Sequence, residues 1–174
     1  SRGFFTSRVI GTFMGEAAAM IGEGIPAQSI EQAALQAGYP TGPLALFDEV
    51  SLILGHRIRE ASRAAAEAEG WEFPGHPSYP VIDRMVLELD RGGRAVGGGF
   101  YDYADGKRVG LWPGLKRWES VDPAQVDLAE LQERMLFVEA IDSVRCLDEG
   151  VLRSVPDANI GSIFGIGFPP WTGG

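Results

Sequence analysis

The chain has 174 residues, 45% of them hydrophobic and 22% charged, and its formal net charge is −9. That size and balance fit one globular domain or two small ones sharing a core, and the acidic excess, with Lys and Arg scattered along the chain, argues against a nucleic-acid backbone or an anionic membrane surface as partner. The single Cys146 excludes an intrachain disulfide and a cysteine-rich metal site, no apolar run reaches the ~18 residues a membrane span needs, and no signal peptide opens the sequence, so a cytoplasmic protein is expected.

From Ser7 to about Gly22, Val9, Ile10, Phe13, Met14, Ala17, Met20 and Ile21 recur at spacings of three and four, which predicts an amphipathic helix. Ser7 is the natural N-cap for it. Ser29-Ile30-Glu31-Gln32 reads as a capping box that opens a second helix, running through Ala37 and stopped by Gly38. Leu44 to Leu54 predicts a mostly buried helical segment with an Ala-rich tail to Glu69, ended by Gly70. Trp71 to Tyr79 is a loop. Pro80 sits in the first turn of a helix carrying Val81, Ile82, Met85, Val86 and Leu89. Gly97-Gly98-Gly99-Phe100-Tyr101-Asp102-Tyr103, followed by Asp105-Gly106, predicts a short hairpin whose aromatics plug a junction between two halves. Asp122-Pro123 and the Asp127 to Glu130 box introduce a long helix to Gly150, and a last one spans about Pro156 to Phe164.

One turn is used twice. Gly38-Tyr39-Pro40-Thr41-Gly42 and Gly167-Phe168-Pro169-Pro170-Trp171-Thr172-Gly173 both read glycine, aromatic, proline, small residue, glycine. Proline stops a helix and glycine opens backbone angles closed to other residues, so each copy redirects the chain in a fixed way. Glu23-Gly24-Ile25 matches Glu149-Gly150-Val151 at an offset of 126 residues, and the same offset carries Arg8 onto Arg134. The order helix, Glu-Gly-apolar, short helix, turn thus occurs twice. The fold expected is all-α, with two tandem, duplicated helical halves packed as a pseudo-dimer, residues 1–112 and a truncated second copy over 113–174, and a small hairpin between them.

Gly3-Phe4-Phe5-Thr6-Ser7-Arg8-Val9, the turn with its sequel Gly42-Pro43-Leu44-Ala45-Leu46-Phe47-Asp48, and Gly97-Gly98-Gly99-Phe100-Tyr101-Asp102-Tyr103 together resemble the C-terminal domain of 3-hydroxyacyl-CoA dehydrogenases. The doubling is similar to the tandem arrangement in α subunits of the multifunctional fatty-acid β-oxidation complex. The resemblance implies a fold like the C-terminal domain of 6-phosphogluconate dehydrogenase. It further implies that a Rossmann domain elsewhere in the polypeptide binds NAD and supplies a catalytic His–Glu pair, with an enoyl-CoA hydratase domain before it. This chain would close over the 3-hydroxyacyl-CoA substrate and pack the domains together. Both ends read as cut from something longer, and no strand followed by Gly-x-Gly-x-x-Gly is present, so the chain alone is expected to bind no NAD and to catalyse nothing.

Carried over residue by residue, the substrate-binding candidates are Ser7, which stands where the family has an Asn near the substrate, and Pro40 and Thr41 of the first turn. No catalytic, cofactor-binding or metal residue is expected. His56 and His76 have no ligand-spaced partners, Cys146 reads as a small core residue, and the neighbours Asp48 and Glu49 cannot face each other on a helix. A thiolase subunit and a second copy of the fragment are candidate partners. Two rival readings stand beside this one: a non-catalytic assembly module of the complex, and a fragment of a 3-hydroxybutyryl-CoA dehydrogenase, against which the second repeat speaks.

Overall fold

The computed structural model describes residues 4–174. Gly3 of the opening motif, with Ser1 and Arg2, lies outside them. The first helix, α1 (Phe5–Gly22), buries Val9, Phe13, Met14, Ala17, Met20 and Ile21 as their spacing predicts. It begins after Phe4, not at Ser7, and Phe4 makes no side-chain cap. Phe5 packs with Val9 and Cys146, and this burial draws one more turn into the helix. Ser7 is left exposed inside that turn, which removes its N-cap reading.

The second helix, α2 (Ala27–Ala37), starts after Pro26, so Ser29 lies inside it and caps nothing. The box of Ser29 with Gln32 therefore does not form, and Glu31 between them accepts from the amide of Leu44 and the hydroxyl of Tyr101. Gly38 ends α2 at φ 104°, and its equivalent Gly167 stands at φ 74°, left-handed values that a side chain would strain. The helical run expected from Leu44 to Glu69 breaks in two, α3 (Pro43–Val50) and α4 (Leu52–Glu69). Ser51 takes φ 92° at the break, and both the Ser51 hydroxyl and the Leu52 amide donate to the carbonyl of Gly92. Leu54, expected in the buried run, faces outward.

Beyond the loop, α5 (Tyr79–Asp83) runs into a π-helical turn over Arg84–Glu88. The hairpin forms as β1 (Tyr101–Ala104) and β2 (Lys107–Leu111), with Ala104 opposite Lys107 across Asp105-Gly106 and a bulge between Asp102 and Tyr103. Asp127 accepts the amides of Ala129 and Glu130 to open α6 (Leu128–Asp148). Ser154 does the same for Asp157 at α7 (Val155–Ile160), which continues as a π-helical turn over Gly161–Gly165. One core runs through Phe13, Met20, Ile30, Leu44, Phe100 and Met135. Cys146 is fully buried in a satellite cluster.

The duplication is visible in the ion pairs. α1 packs along α6. Arg8 donates to Asp142 at 2.9 and 3.0 Å and to Glu149 at 2.6 and 3.1 Å. Arg134, 126 residues on, donates to Glu16 at 2.7 Å and to Glu23 at 2.6 and 2.7 Å. Glu16 and Asp142 are separated by the same offset, as are Glu23 and Glu149. Each half's arginine is therefore neutralised by the other half's acids, as across a two-fold axis. The two turns also meet. Phe168 packs edge-on against Tyr39 at 6.1 Å, a Cβ on Gly167 would strike Pro40 at 2.8 Å, and Trp171 Nε1 donates to the carbonyl of Ala37 at 2.6 Å.

Replacing Arg134 with methionine leaves the half-buried carboxylate of Glu16 without its partner. We expect a loss of about 1–3 kcal/mol, toward the low end because the guanidinium is partly exposed. Arg153→Met, at an exposed cation with no ion pair among the described residues, is the control. Urea unfolding compares them; equal midpoints would show that the reciprocal pairs contribute nothing.

Candidate functional site

The densest polar geometry lies where the hairpin meets α2 and α3. Glu31 of α2 is buried and accepts the Leu44 amide at the start of α3 at 2.8 Å, and its other oxygen accepts the Tyr101 hydroxyl. Asp48 of α3, 1% exposed, accepts the amides of Phe100 and Tyr101, each at 2.8 Å, and the Tyr103 hydroxyl at 3.2 Å. A Cβ on Gly99 would fall 2.0 Å from Asp48, and one on Gly42 would fall 2.2 Å from Glu31, so only glycine admits either carboxylate. Arg91 closes the hairpin from behind, donating to the carbonyls of Gly99 and Tyr101 and to Asp102, with its guanidinium 4.3 Å above the Trp112 ring. Phe100 enters the core beside Phe47. The aromatic run therefore docks the hairpin onto α2 and α3 and does not plug the junction between the halves, because its hydroxyls find buried carboxylates there.

Burial raises both acids. Asp48 is pushed up to about 6 even though two amides and the Tyr103 hydroxyl favour its charged form. Burial likewise raises Glu31, against the opposing bond from Tyr101. Both tyrosines are held well above their usual range, by burial first and then by the adjacent carboxylates.

In front of this network opens a cleft of about 360 Å³. The turn and α3 supply Thr41, Ala45, Leu46 and Glu49, and the hairpin side supplies Arg94, Tyr103, Lys107 and Arg108. Arg94 grips Glu49 with two bonds, at 2.8 and 2.9 Å. Three of the cations scattered in the sequence, Arg94, Lys107 and Arg108, thus meet here. Of the predicted site residues only Thr41 lines the cleft; Pro40 is exposed against Gly167, and Ser7 is exposed in the first turn of α1. A second, apolar cleft of about 200 Å³ lies between α6 and α7, lined by Ala140, Val144, Leu147, Val155, Ala158 and Phe168. No histidine lines either one. His56 is tied to Asp83 and Arg59, and His76 to Ser78. Among the described residues no three His, Cys, Asp or Glu side chains gather as metal ligands.

The sequence reading missed Glu31, Asp48, Lys107 and Arg108. The available signal for the acids was their place inside apolar helical runs ahead of a triple glycine.

The family model for the 3-hydroxyacyl-CoA dehydrogenase C-terminal domain matches residues 3–103, more than half of the chain. The chain belongs to that family. Its hairpin motif now has a physical reading: glycine for the Asp48 approach, phenylalanine for the core, two tyrosines for two buried carboxylates. Across 99% of its length the chain is 35% identical over 173 residues to the fatty acid oxidation complex subunit alpha of Vibrio cholerae, in both the classical Ogawa and El Tor Inaba strains. It is 33% identical over 187 residues to the subunit of the same description from Shewanella sp. strain ANA-3. The chain spans about a quarter of those relatives, 23% and 24% of their lengths. Among the described residues of this family member the only sheet is the two-stranded antiparallel hairpin, with no parallel βα unit to cradle a dinucleotide. Among the described residues no helix is long and apolar enough to cross a membrane.

Proposed function

We propose that the chain is the substrate-closing helical part of an NAD-dependent 3-hydroxyacyl-CoA dehydrogenase within a fatty-acid oxidation α subunit. The observation that carries this is similarity running through 99% of the chain to subunits so described, together with the family hairpin seated on α2 and α3. The reaction is oxidation of a 3-hydroxyacyl-CoA to its 3-oxo form. The general base and NAD are held by other domains of the polypeptide, and no step through NAD is derived from this chain's own residues. Its share is the substrate wall formed by Ser7, Pro40 and Thr41 and the packing of neighbouring domains. Residues 1–112 form the first copy of the domain and 113–174 the second. The exposed aromatics Phe4 and Phe164, beside the contact of Thr6 with Gly165, supply apolar surface for a docked domain or a second copy of the chain. A thiolase subunit and a cytoplasmic location complete the proposal.

In the full-length polypeptide, Ser7→Ala should lower kcat/KM for 3-hydroxyacyl-CoA by roughly three- to tenfold, the value of one hydrogen bond, with the hydratase step unchanged. Unchanged dehydrogenase turnover would remove Ser7 from the site. The exposed Phe4 and Phe164 favour a second reading, an assembly module without substrate contact. Loss of subunit association in a Phe4→Ser/Phe164→Ser variant that keeps full turnover would favour it.

A further inference from the structure

We propose that the cleft between the first turn, α3 and the hairpin is an anion site that takes the phosphate-bearing end of the acyl-CoA; this rests on the substrate reading above. In a chain of net charge −9, three cations line a single cleft. Arg94 is neutralised by Glu49. Lys107 and Arg108 are exposed, and no carboxylate among the described residues lies within ion-pair distance of either. Arg108 is positioned without being neutralised, its guanidinium 4.8 Å above the ring of Tyr101, whose hydroxyl is anchored to Glu31. Thr41 brings a half-buried hydroxyl to the same cleft and makes no hydrogen bond within the described residues.

Planar guanidinium, ammonium and hydroxyl donors converging without a partner suit tetrahedral phosphate oxygens. The volume, about 360 Å³, lies in the range of small-ligand pockets. An acyl chain does not fit the lining: only Ala45 and Leu46 are apolar, and burying a hydrocarbon there would strip water from Glu49, Arg94, Lys107 and Arg108 with nothing in return. CoA carries a diphosphate and a ribose phosphate at the end opposite its acyl group, so Thr41 contacts the handle of the substrate and not its tail.

The test titrates the 174-residue chain with CoA, pantetheine and inorganic pyrophosphate while following the backbone amide resonances of Thr41, Gly106, Lys107 and Arg108. CoA and pyrophosphate should shift these resonances and pantetheine, which lacks phosphate, should not. Lys107→Gln/Arg108→Gln should weaken both at least tenfold with its circular dichroism unchanged, since both side chains are exposed. No shift with either phosphate compound, or equal affinity in the double variant, overturns the site. A pyrophosphate response without a CoA response overturns its assignment to acyl-CoA. Turnover separates this inference from the reading beneath it. A full-length double variant that oxidises 3-hydroxyacyl-CoA with unchanged KM sinks the anion site and leaves the dehydrogenase reading standing.

Discussion

The stability of the chain should fall as pH rises from about 6 to about 9, and in a Glu139→Gln variant it should stay nearly flat over that interval. Glu139 on α6 is 1% exposed, accepts the Tyr39 hydroxyl at 2.7 Å on one oxygen, and has no partner among the described residues on the other. Burial pushes it up to about 8 from its ordinary 4.5, against the opposing bond from Tyr39. In the unfolded chain this carboxyl loses its proton near its ordinary value. Between there and about 8 the folded state holds a proton that the unfolded state has released. Unfolding is therefore favoured progressively through that window, and the effect levels off above it. At about 1.4 kcal/mol per pH unit the full window represents several kcal/mol, at most roughly 5. Glutamine keeps the acceptor for Tyr39 and cannot ionise, so the variant should exceed the parent in stability at about pH 9 by a few kcal/mol. Asp48, pushed up to about 6, gives both proteins a shared slope at lower pH. Urea unfolding at three pH values decides the matter. Parallel slopes for parent and variant above about pH 6 would show that Glu139 is ionised in the fold.

The second large effect is expected at Gly99. Alanine there would place its methyl 2.0 Å from Asp48 Oδ1, a distance no side chain adopts. Asp48 must then move, and the buried amide of Phe100 and the amide of Tyr101 lose their acceptor together. A displaced buried carboxylate and stranded donors should cost about 3–5 kcal/mol, enough to release the hairpin from α3. Two nearby glycines calibrate the measurement. Gly110, with open space around it and ordinary backbone angles, should accept alanine at roughly no cost. Gly97, also in open space but at φ 87°, should lose about 1 kcal/mol from strain alone. Denaturation midpoints that fail to separate the Gly99 and Gly110 variants would remove the steric account of the motif.

Much of the fold was legible because its signals are local. The apolar spacing of α1, the Asp127 N-terminus and the Asp105-Gly106 turn each depend on a few neighbouring residues. The offset carrying Arg8 onto Arg134 anticipated the reciprocal ion pairs of α1 and α6. The failures share one cause, a distant partner overriding a local preference. Glu31 stands inside an apparent capping box, but the distant Leu44 and Tyr101 claim it. Ser51 interrupts a continuous helical pattern because Gly92 needs the donors that the break sets free. Phe5, buried with Cys146, moved the start of α1 and left Ser7 inside it. The cleft was the least legible part: Thr41 and Arg108 are far apart in sequence, and the docking of the hairpin on Glu31 and Asp48 makes them neighbours.

The offset that pairs the arginines also sets Glu139 opposite Phe13. Phe13 stacks on Tyr39 at 4.4 Å, while Glu139 takes its hydroxyl. Two identical subunits could never build this arrangement, since one gene would have to encode phenylalanine and glutamate at a single position. Covalent tandem linkage lifts that constraint. Once both copies lie on one polypeptide, mutation can act on either side of the axis separately, and the Tyr39–Glu139 bond marks a place where the halves have used that freedom to become different parts.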